Sequence, residues 1–330
     1  MFDNYSPEVK FAIESVRQAS YLVRQVQSEL VSVALSKSDF SPVTVGDFAA
    51  QALVGYLLGK SFPEDILVAE EDSASLCGPD QGGLLEQVTG YVGRFVNGAR
   101  PDQICAWIDL GKGTPNRRFW TLDPIDGTKG YLRGDQYAIA LALIEDEQVQ
   151  LGVLGCPNLS DAYRPDVDGP GSVVIAARGE GTWTTSMASA LEYDPITVSE
   201  RQDTTQTRLL RSFEAQHTNV QYLDRLVETL GILASPVLMD SQAKYAILAS
   251  GKADAMIRLL SSERPEYREK IWDVAAGSIV VEEAGGKVTD LHGKALDFST
   301  GRELVNNRGV LVTNGYLHDA FLEALARAEI

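Results

Sequence analysis

Apolar residues along this chain follow two spacings, and the changes from one to the other mark its elements. Over residues 6–35, Val9, Ile13, Val16, Val23, Val26 and Leu30 recur at helical spacing. Ser6 can cap that helix, Pro7 suits its first turn and Glu8 its positive end. A polar loop, SKSDFSP, follows, and a second helix is predicted from Thr44 to Leu58. There Thr44 and Asp47 stand at capping-box spacing, with Asp in place of Glu. In DILVAEED, Ile66–Ala69 reads as a short buried strand that ends in acid. Residues 78–104 are glycine-rich and read as a surface insertion with a helix at Leu84–Val92. Strand signals return at Phe119–Leu122 and continue as a hairpin, YAIALALIEDEQVQLGVLGCP, turning at Glu145–Gln148. The loop NLSDAYRPDVDGPGS marks a boundary between halves 1–157 and 158–330. Beyond it strands and helices are expected to alternate to the end, as in a layered α/β arrangement.

Bulk properties narrow the partners. The chain has 330 residues, 44% hydrophobic and 23% charged, enough for one large domain or two medium ones. Its net charge of −17 argues against nucleic-acid polymers and anionic membranes. A small anionic ligand remains compatible with it where metals or a local Lys/Arg cluster reverse the field. Three cysteines, Cys77, Cys105 and Cys156, with no C-x-x-C pair, suggest reduced thiols in a cytosol-like compartment. The stretch MFDNYSPEVK lacks a basic region followed by an apolar core, so no secretory signal is expected, and no apolar run is long enough to span a bilayer. A cytoplasmic location and a monomer or weak homo-oligomer are the expectations.

The acidic residues gather at element ends. Glu70 and Glu71 follow one predicted strand, and Asp123 and Asp126, in FWTLDPIDGTKGY, follow another. Asp273, in KIWDVAAG, opens a predicted helix, and Asp47 lies in the first turn of one. Pro124 biases the residue before it to extended geometry, and Asp126-Gly127 forces a turn. Taken singly, each acid has an ordinary explanation. Asp47 and Asp273 serve as helix caps, Glu70-Glu71-Asp72 as a solvated turn, and Asp123 and Asp126 as turn formers. If they converge, they form an oxygen-rich pocket suited to Mg²⁺, and without a cation their mutual repulsion would destabilise the pocket or keep it partly protonated.

E-E-D, D-P-I-D-G-T and W-D-V-A-A-G, in this order, resemble the lithium-sensitive, magnesium-dependent phosphatases of the inositol monophosphatase superfamily. The resemblance covers nearly the whole chain and implies a layered αβαβα sandwich with the metal site between its halves. By residue-to-residue match it implies Glu70, Asp123, Asp126 and the Ile125 carbonyl as metal ligands, Asp273 as the ligand completing a second metal, and Glu71 as holding a further metal through water. It implies two or three Mg²⁺ per site and inhibition by Li⁺. Thr128 and Asp47 match the pair that orients the attacking water, with Glu70 sharing the base role, and Asp126, Gly127, Thr128 and Asp273 also face substrate.

Three further stretches, SPVTVGDFAAQALV, RSFEAQHTN and MDSQAKYAILASGKADAMIRL, resemble the 3′(2′),5′-bisphosphate nucleotidases within that superfamily. This implies hydrolysis of adenosine 3′,5′-bisphosphate to AMP and phosphate, with 3′-phosphoadenosine 5′-phosphosulfate as a further substrate and a place in disposing of a by-product of sulfate assimilation. Ser241 and Lys244 then bind the nucleotide, Arg258 lies near the retained 5′-phosphate and His217 near the nucleoside. The side-chain chemistry agrees, since a bisphosphate needs cations in two places, with lysine as a point charge and arginine as a bidentate partner. Taken alone, Lys244 reads as a surface lysine, Arg258 as half of a salt bridge and His217 as a surface or core histidine. The competing readings are an inositol polyphosphate 1-phosphatase, an inositol or sugar monophosphatase, a catalytically silent nucleotide sensor, and a Ca²⁺-binding structural protein.

Overall fold

A computed structural model of the chain describes residues 7–31, 42–76, 82–213, 220–260 and 266–328. Helix α1 (Pro7–Val26) runs on into a π-helical turn, Gln27–Val31, and the expected continuation to residue 35 lies outside the described residues. Helix α2 (Pro42–Ser61) extends past the predicted end at Leu58, and β1 spans Ile66–Ala69 as predicted. Residues 78–104 depart from expectation. Helices α3 (Gly82–Gly93) and α4 (Pro101–Asp109) pack on α2. Leu84, Val88, Tyr91 and Val92 form a helical stripe buried in the core, so this region is part of the fold rather than a surface insertion.

The first sheet grows outward from β2 (Arg118–Asp126), which is followed by the short helix α5 (Thr128–Arg133). The predicted hairpin is β3 (Ala138–Glu145) and β4 (Gln148–Cys156). Its two-residue turn holds Asp146 and Glu147 at φ 48° and 67°, the left-handed geometry that suits the twist of a tight hairpin. A small ribbon, β5 (Leu159–Ser160) with β6 (Arg164–Pro165), precedes β7 (Ser172–Ala177), β8 (Thr182–Ser186) and β9 (Ser189–Ile196). The sheet has seven strands in the order β1-β2-β3-β4-β7-β8-β9. Because β7 pairs with β4 across the 157/158 boundary, that expectation is corrected: in sheet terms the changeover falls after Ile196. The antiparallel run β7–β9 also corrects the expected strand-helix alternation straight after the loop.

The second sheet has five strands, β10 (Leu209–Arg211), β11 (Val237–Leu238), β12 (Ala255–Arg258), β13 (Lys287–Thr289) and β14 (Val310–Thr313), in the order β11-β10-β12-β14-β13. Its helices are α6 (Val220–Leu230), α7 (Ala243–Ala249), α8 (Ala275–Glu283) and α9 (His318–Arg327).

Strand alternation sorts the apolar residues into three layers. Trp120, Leu122, Ile139, Leu141 and Leu143 join α1 and α2 in the first. Phe119, Ala138, Ala140 and Ala142 face the other way, into a middle layer with α7 and α8. Leu209, Ile257 and Leu311 face a third, with residues of α6 and α9. The result is the expected αβαβα sandwich. The alanines of β3 leave room for α8 to pack against it.

Cys105 is disulfide-bonded, which corrects the expectation of reduced thiols for that residue. Cys156 is free and buried, and Cys77 lies outside the described residues. Among the described residues no helix is long and apolar enough to cross a membrane.

The middle layer sets the spacing of the two sheets, so enlarging its small residues should be costly. Ala140→Leu, at a fully buried position facing that layer, is expected to lower unfolding free energy by about 1–3 kcal/mol in a denaturant titration. A loss under about 0.5 kcal/mol would show that β3 and α8 are not held at contact distance.

Candidate active site

Pairing geometry brings the first acids together. Strands β1 and β2 are parallel, with Ala69 opposite Leu122, so Glu70 and Asp123 leave the sheet side by side, and their carboxyl groups share a hydrogen bond. Residues three apart on a regular strand point to opposite faces. Here the register slips. Asp123 pairs with Ala140 and Asp126 with Ala138, so the β2 segment carries one residue more than its partner. Pro124 has no N–H to give the ladder, which suits an irregularity at this point. The extra residue turns Asp126 back towards Asp123. Asp273, which ends the 3₁₀ turn Ile271–Asp273 before α8, arrives from the second half. Carboxylate oxygens of Asp123, Asp126 and Asp273 lie within 4.8 Å of one another.

Asp47 reaches the same place from α2. Its neighbour Gly46 permits this, since a Cβ there would lie 2.7 Å from Ile125 Cδ1. Gly127 does the same for the second half. At φ 92° it caps α5, and a Cβ on it would lie 2.6 Å from Ser241 Cβ. Ile125 is buried between the two aspartates, and Thr128 is exposed as the first residue of α5. Helices α2 and α5 are in contact, which brings the segments of Asp47 and Thr128 close together.

Crowding acids in a dry place raises their pKa values. Burial, then the charges of Asp273, Glu71 and Asp126, pushes Glu70 up to about 8. Burial and Asp273 push Asp126 up to about 6, against the pull of Arg258, the Gln242 N–H and Lys244. Asp123 and Asp47 are raised well above the carboxylate range, by burial first and neighbouring acids second. Glu71 is raised as well, by burial and then Asp72. The Oδ1 of Asp123 is buried without a hydrogen-bond donor. Clustered oxygens short of donors fit a hard divalent cation, which prefers oxygen ligands.

A cationic side faces the acids. Lys244 Nζ donates to Ser212 Oγ at 2.8 Å, and burial, then Arg258, lowers its pKa to about 8. Arg258 lies 2.7 Å from Glu269 and 3.5 Å from Asp273. Burial would depress the guanidinium, but Glu269 and Asp273 outweigh it and keep it protonated. Ser241 sits at φ 65°, with its Oγ accepting from the Ala243 N–H. His217 lies outside the described residues.

Sequence reasoning missed three residues here. Gln242 donates its main-chain N–H to Asp126 and its side-chain amide to the Trp272 carbonyl at 2.9 Å, tying S-Q-A-K to both aspartate loops. Gln51, fully buried one turn beyond Asp47, accepts from the Glu71 N–H at 2.9 Å and donates to the Glu71 carbonyl at 2.7 Å. Glu269 is the buried partner of Arg258. The two glutamines carried a weak signal, being polar residues among apolar neighbours at core positions, whereas Glu269 lay in a charged stretch and carried none.

A family model described as the inositol monophosphatase family matches residues 4–329. The 3′(2′),5′-bisphosphate nucleotidase of Schizosaccharomyces pombe is 40% identical over 343 residues, covering 98% of this chain and 96% of that protein. The protein of the same name from Dictyostelium discoideum is 37% identical, covering 96% of each. Among solved structures, an inositol monophosphatase from Zymomonas mobilis superposes with a TM-score of 0.65 at 19% identity, covering 99% of this chain and all of that one. One from Anabaena gives 0.63 at 20%, covering 97% and 95%. At such identities the structures establish the shared fold.

The raised acids make cation binding and proton release one event. Glu70 rises from an ordinary 4.5 to about 8. Its stabilising contribution to the metal-free fold is therefore full below about 4.5 and lost as pH rises through about 8. A cation reverses that penalty by displacing the proton. Calorimetric titration of Mg²⁺ at pH 7, in buffers of different ionisation heat, is expected to show proton release. Affinity should climb between about pH 6 and 8 and level off above. Binding independent of pH across that range would mean the carboxyls are already ionised.

Proposed function

The chain belongs to the inositol monophosphatase family, and from that premise we propose that it is a Mg²⁺-dependent 3′(2′),5′-bisphosphate nucleotidase. It hydrolyses adenosine 3′,5′-bisphosphate to AMP and phosphate and also takes 3′-phosphoadenosine 5′-phosphosulfate. The observation that carries this reading is the meeting of two unlike clusters in one place. Asp126 accepts from the Gln242 N–H, Gly127 lies against Ser241, the Trp272 carbonyl beside Asp273 accepts from the Gln242 amide, and Lys244 and Arg258 lie close enough to lower the Asp126 pKa. A substrate with two phosphates suits such a divided site, one end on the acids and their cations, the other on the lysine and arginine.

Glu70, Glu71, Asp123, Asp126, Asp273 and the Ile125 carbonyl would hold the ions. Bound there, Mg²⁺ supplies positive charge to the phosphoryl oxygens and makes water easier to deprotonate. Thr128 holds the attacking water through its hydroxyl, Asp47 orients that hydroxyl, and Glu70 shares the role of base. Gly127 and Thr128, at the start of α5, offer main-chain N–H groups to the phosphate. Ser241 and Lys244 bind the nucleotide. Lys244 has its pKa lowered to about 8, and a second phosphate beside it would raise it again and secure its charge. Arg258, steadied by Glu269, takes the retained 5′-phosphate, and His217 the nucleoside. The proposal carries with it inhibition by Li⁺ in one of the Mg²⁺ positions and a cytoplasmic setting.

Phosphate release with Mg²⁺ from adenosine 3′,5′-bisphosphate, inositol 1,4-bisphosphate and inositol 1-phosphate, each with and without Li⁺, tests the substrate. Preference for the nucleotide, abolished by Li⁺, is expected. Preference for an inositol phosphate would overturn the roles given to Ser241, Lys244 and Arg258 and leave the acids theirs. Asp123→Asn should lose more than about 100-fold in turnover with its circular dichroism unchanged, and near-normal turnover would sink the ligand assignment.

A further inference from the structure

Arg302 lies outside the motifs that carry the acids, yet it touches the residues beside Glu70 and Asp273. It follows the 3₁₀ turn Phe298–Thr300 in the second half. From there its guanidinium crosses to the first half and donates to the carbonyl of Ala69, the residue before Glu70. Its other terminal nitrogen donates to the Gly111 carbonyl at 3.1 Å. The same guanidinium lies 4.8 Å from the centre of the Trp272 ring, next to Asp273. The main chain closes the loop, with the Arg302 carbonyl accepting from the Ile271 N–H at 3.1 Å. One side chain therefore bears on the peptide that launches Glu70 and on the residue beside Asp273.

Its acceptors mark the arrangement as specific. Both are main-chain carbonyls, and burial lowers the pKa of Arg302. A partly buried guanidinium satisfied by carbonyls, with a planar fork reaching two at once and a face on an indole, is a geometry lysine cannot copy. Gln51 grips the next residue of the same turn from the other side, holding both main-chain polar groups of Glu71. The turn that carries Glu70 and Glu71 is thus held from the first half by Gln51 and from the second by Arg302.

We propose that Arg302 is a positioning residue that fixes the Glu70–Glu71 turn against the Asp273 turn and thereby sets the affinity of the acid cluster for divalent cations. The inference rests on the metal-dependent reading of that cluster and adds to it the residue that holds ligands from the two halves in register. The sign of the effect separates positioning from charge. A guanidinium close to a cation site repels the cation, so removing its charge alone would tighten Mg²⁺ binding. Loss of positioning weakens it.

The test is calorimetric titration of Mg²⁺ into the metal-free full chain, with tryptophan fluorescence as a second readout because Trp272 sits beside Asp273. Wild type, Arg302→Lys, Arg302→Met and Asp123→Asn are compared. Arg302→Lys keeps the charge and loses the fork. Arg302→Met keeps the length and loses both. Both Arg302 variants are expected to bind Mg²⁺ about 10–100-fold more weakly. The Mg²⁺ concentration for half-maximal turnover should rise in proportion, while kcat at saturating Mg²⁺ stays within about threefold of wild type. If Arg302→Met does not fold, Arg302→Lys carries the same expectation. Binding within twofold of wild type, or tighter, in either folded variant overturns the proposal even if its melting temperature falls. Binding by wild type that Asp123→Asn lacks assigns the signal to the cluster and leaves the metal reading standing in that case. No binding by wild type would overturn the metal reading and this inference together.

Discussion

Mutual repulsion among carboxyl groups is the constraint around which this molecule is arranged. Glu70, Asp123 and Asp126 are gathered beside Asp273 where burial already disfavours their charge, and the neighbouring carboxyls make these three harder still to ionise. Such a group is stable only with protons or cations among its members. Holding its members in register falls to the rest of the fold, and the surrounding structure answers that demand. The bulge at Pro124 aims Asp126 inward, Gln242 and Gln51 grip the main chain beside the acids, and Arg302 reaches from the second half to the peptide before Glu70.

The layers make this possible. Three apolar clusters lie on the faces of two sheets, and their burial supplies the favourable free energy that a repulsive site consumes. The middle layer also fixes where the acids meet. Glu70, Asp123 and Asp126 emerge from the end of the parallel pair β1-β2, and Asp273 stands at the start of α8, which packs against β3 and β4. Strand ends and helix starts in layered α/β folds are places where ligands commonly bind.

Only the cationic side of the site runs against the charge of the whole chain. The protein carries a net charge of −17, which repels anions at a distance. Lys244 and Arg258 oppose that field locally, and each is held in place by a specific partner, Ser212 for the lysine and Glu269 for the arginine. The cations are pre-placed rather than recruited from mobile surface side chains, so little ordering entropy would be lost on meeting an anion.

The sequence by itself determined the local structure and the acids that the fold gathers. Strand β1, the hairpin with its Asp146-Glu147 turn and the two long N-terminal helices follow from periodicity and turn residues within a few positions of each other, because backbone sterics act over that range. The motif set identified the acids, since residue types at fixed spacing survive without any knowledge of packing. Tertiary structure alone decided what depends on distant neighbours. Helix α3 became core because α2 lies against it. The first sheet ran past residue 157 because β7 found β4. Gln51, Gln242 and Arg302 gained roles because their partners lie 20 or more positions away or in the other half, and Glu269 because folding turns its carboxylate onto Arg258. Hydrogen bonds across such separations leave no periodic trace in the chain, and only the folded layers bring their two ends together.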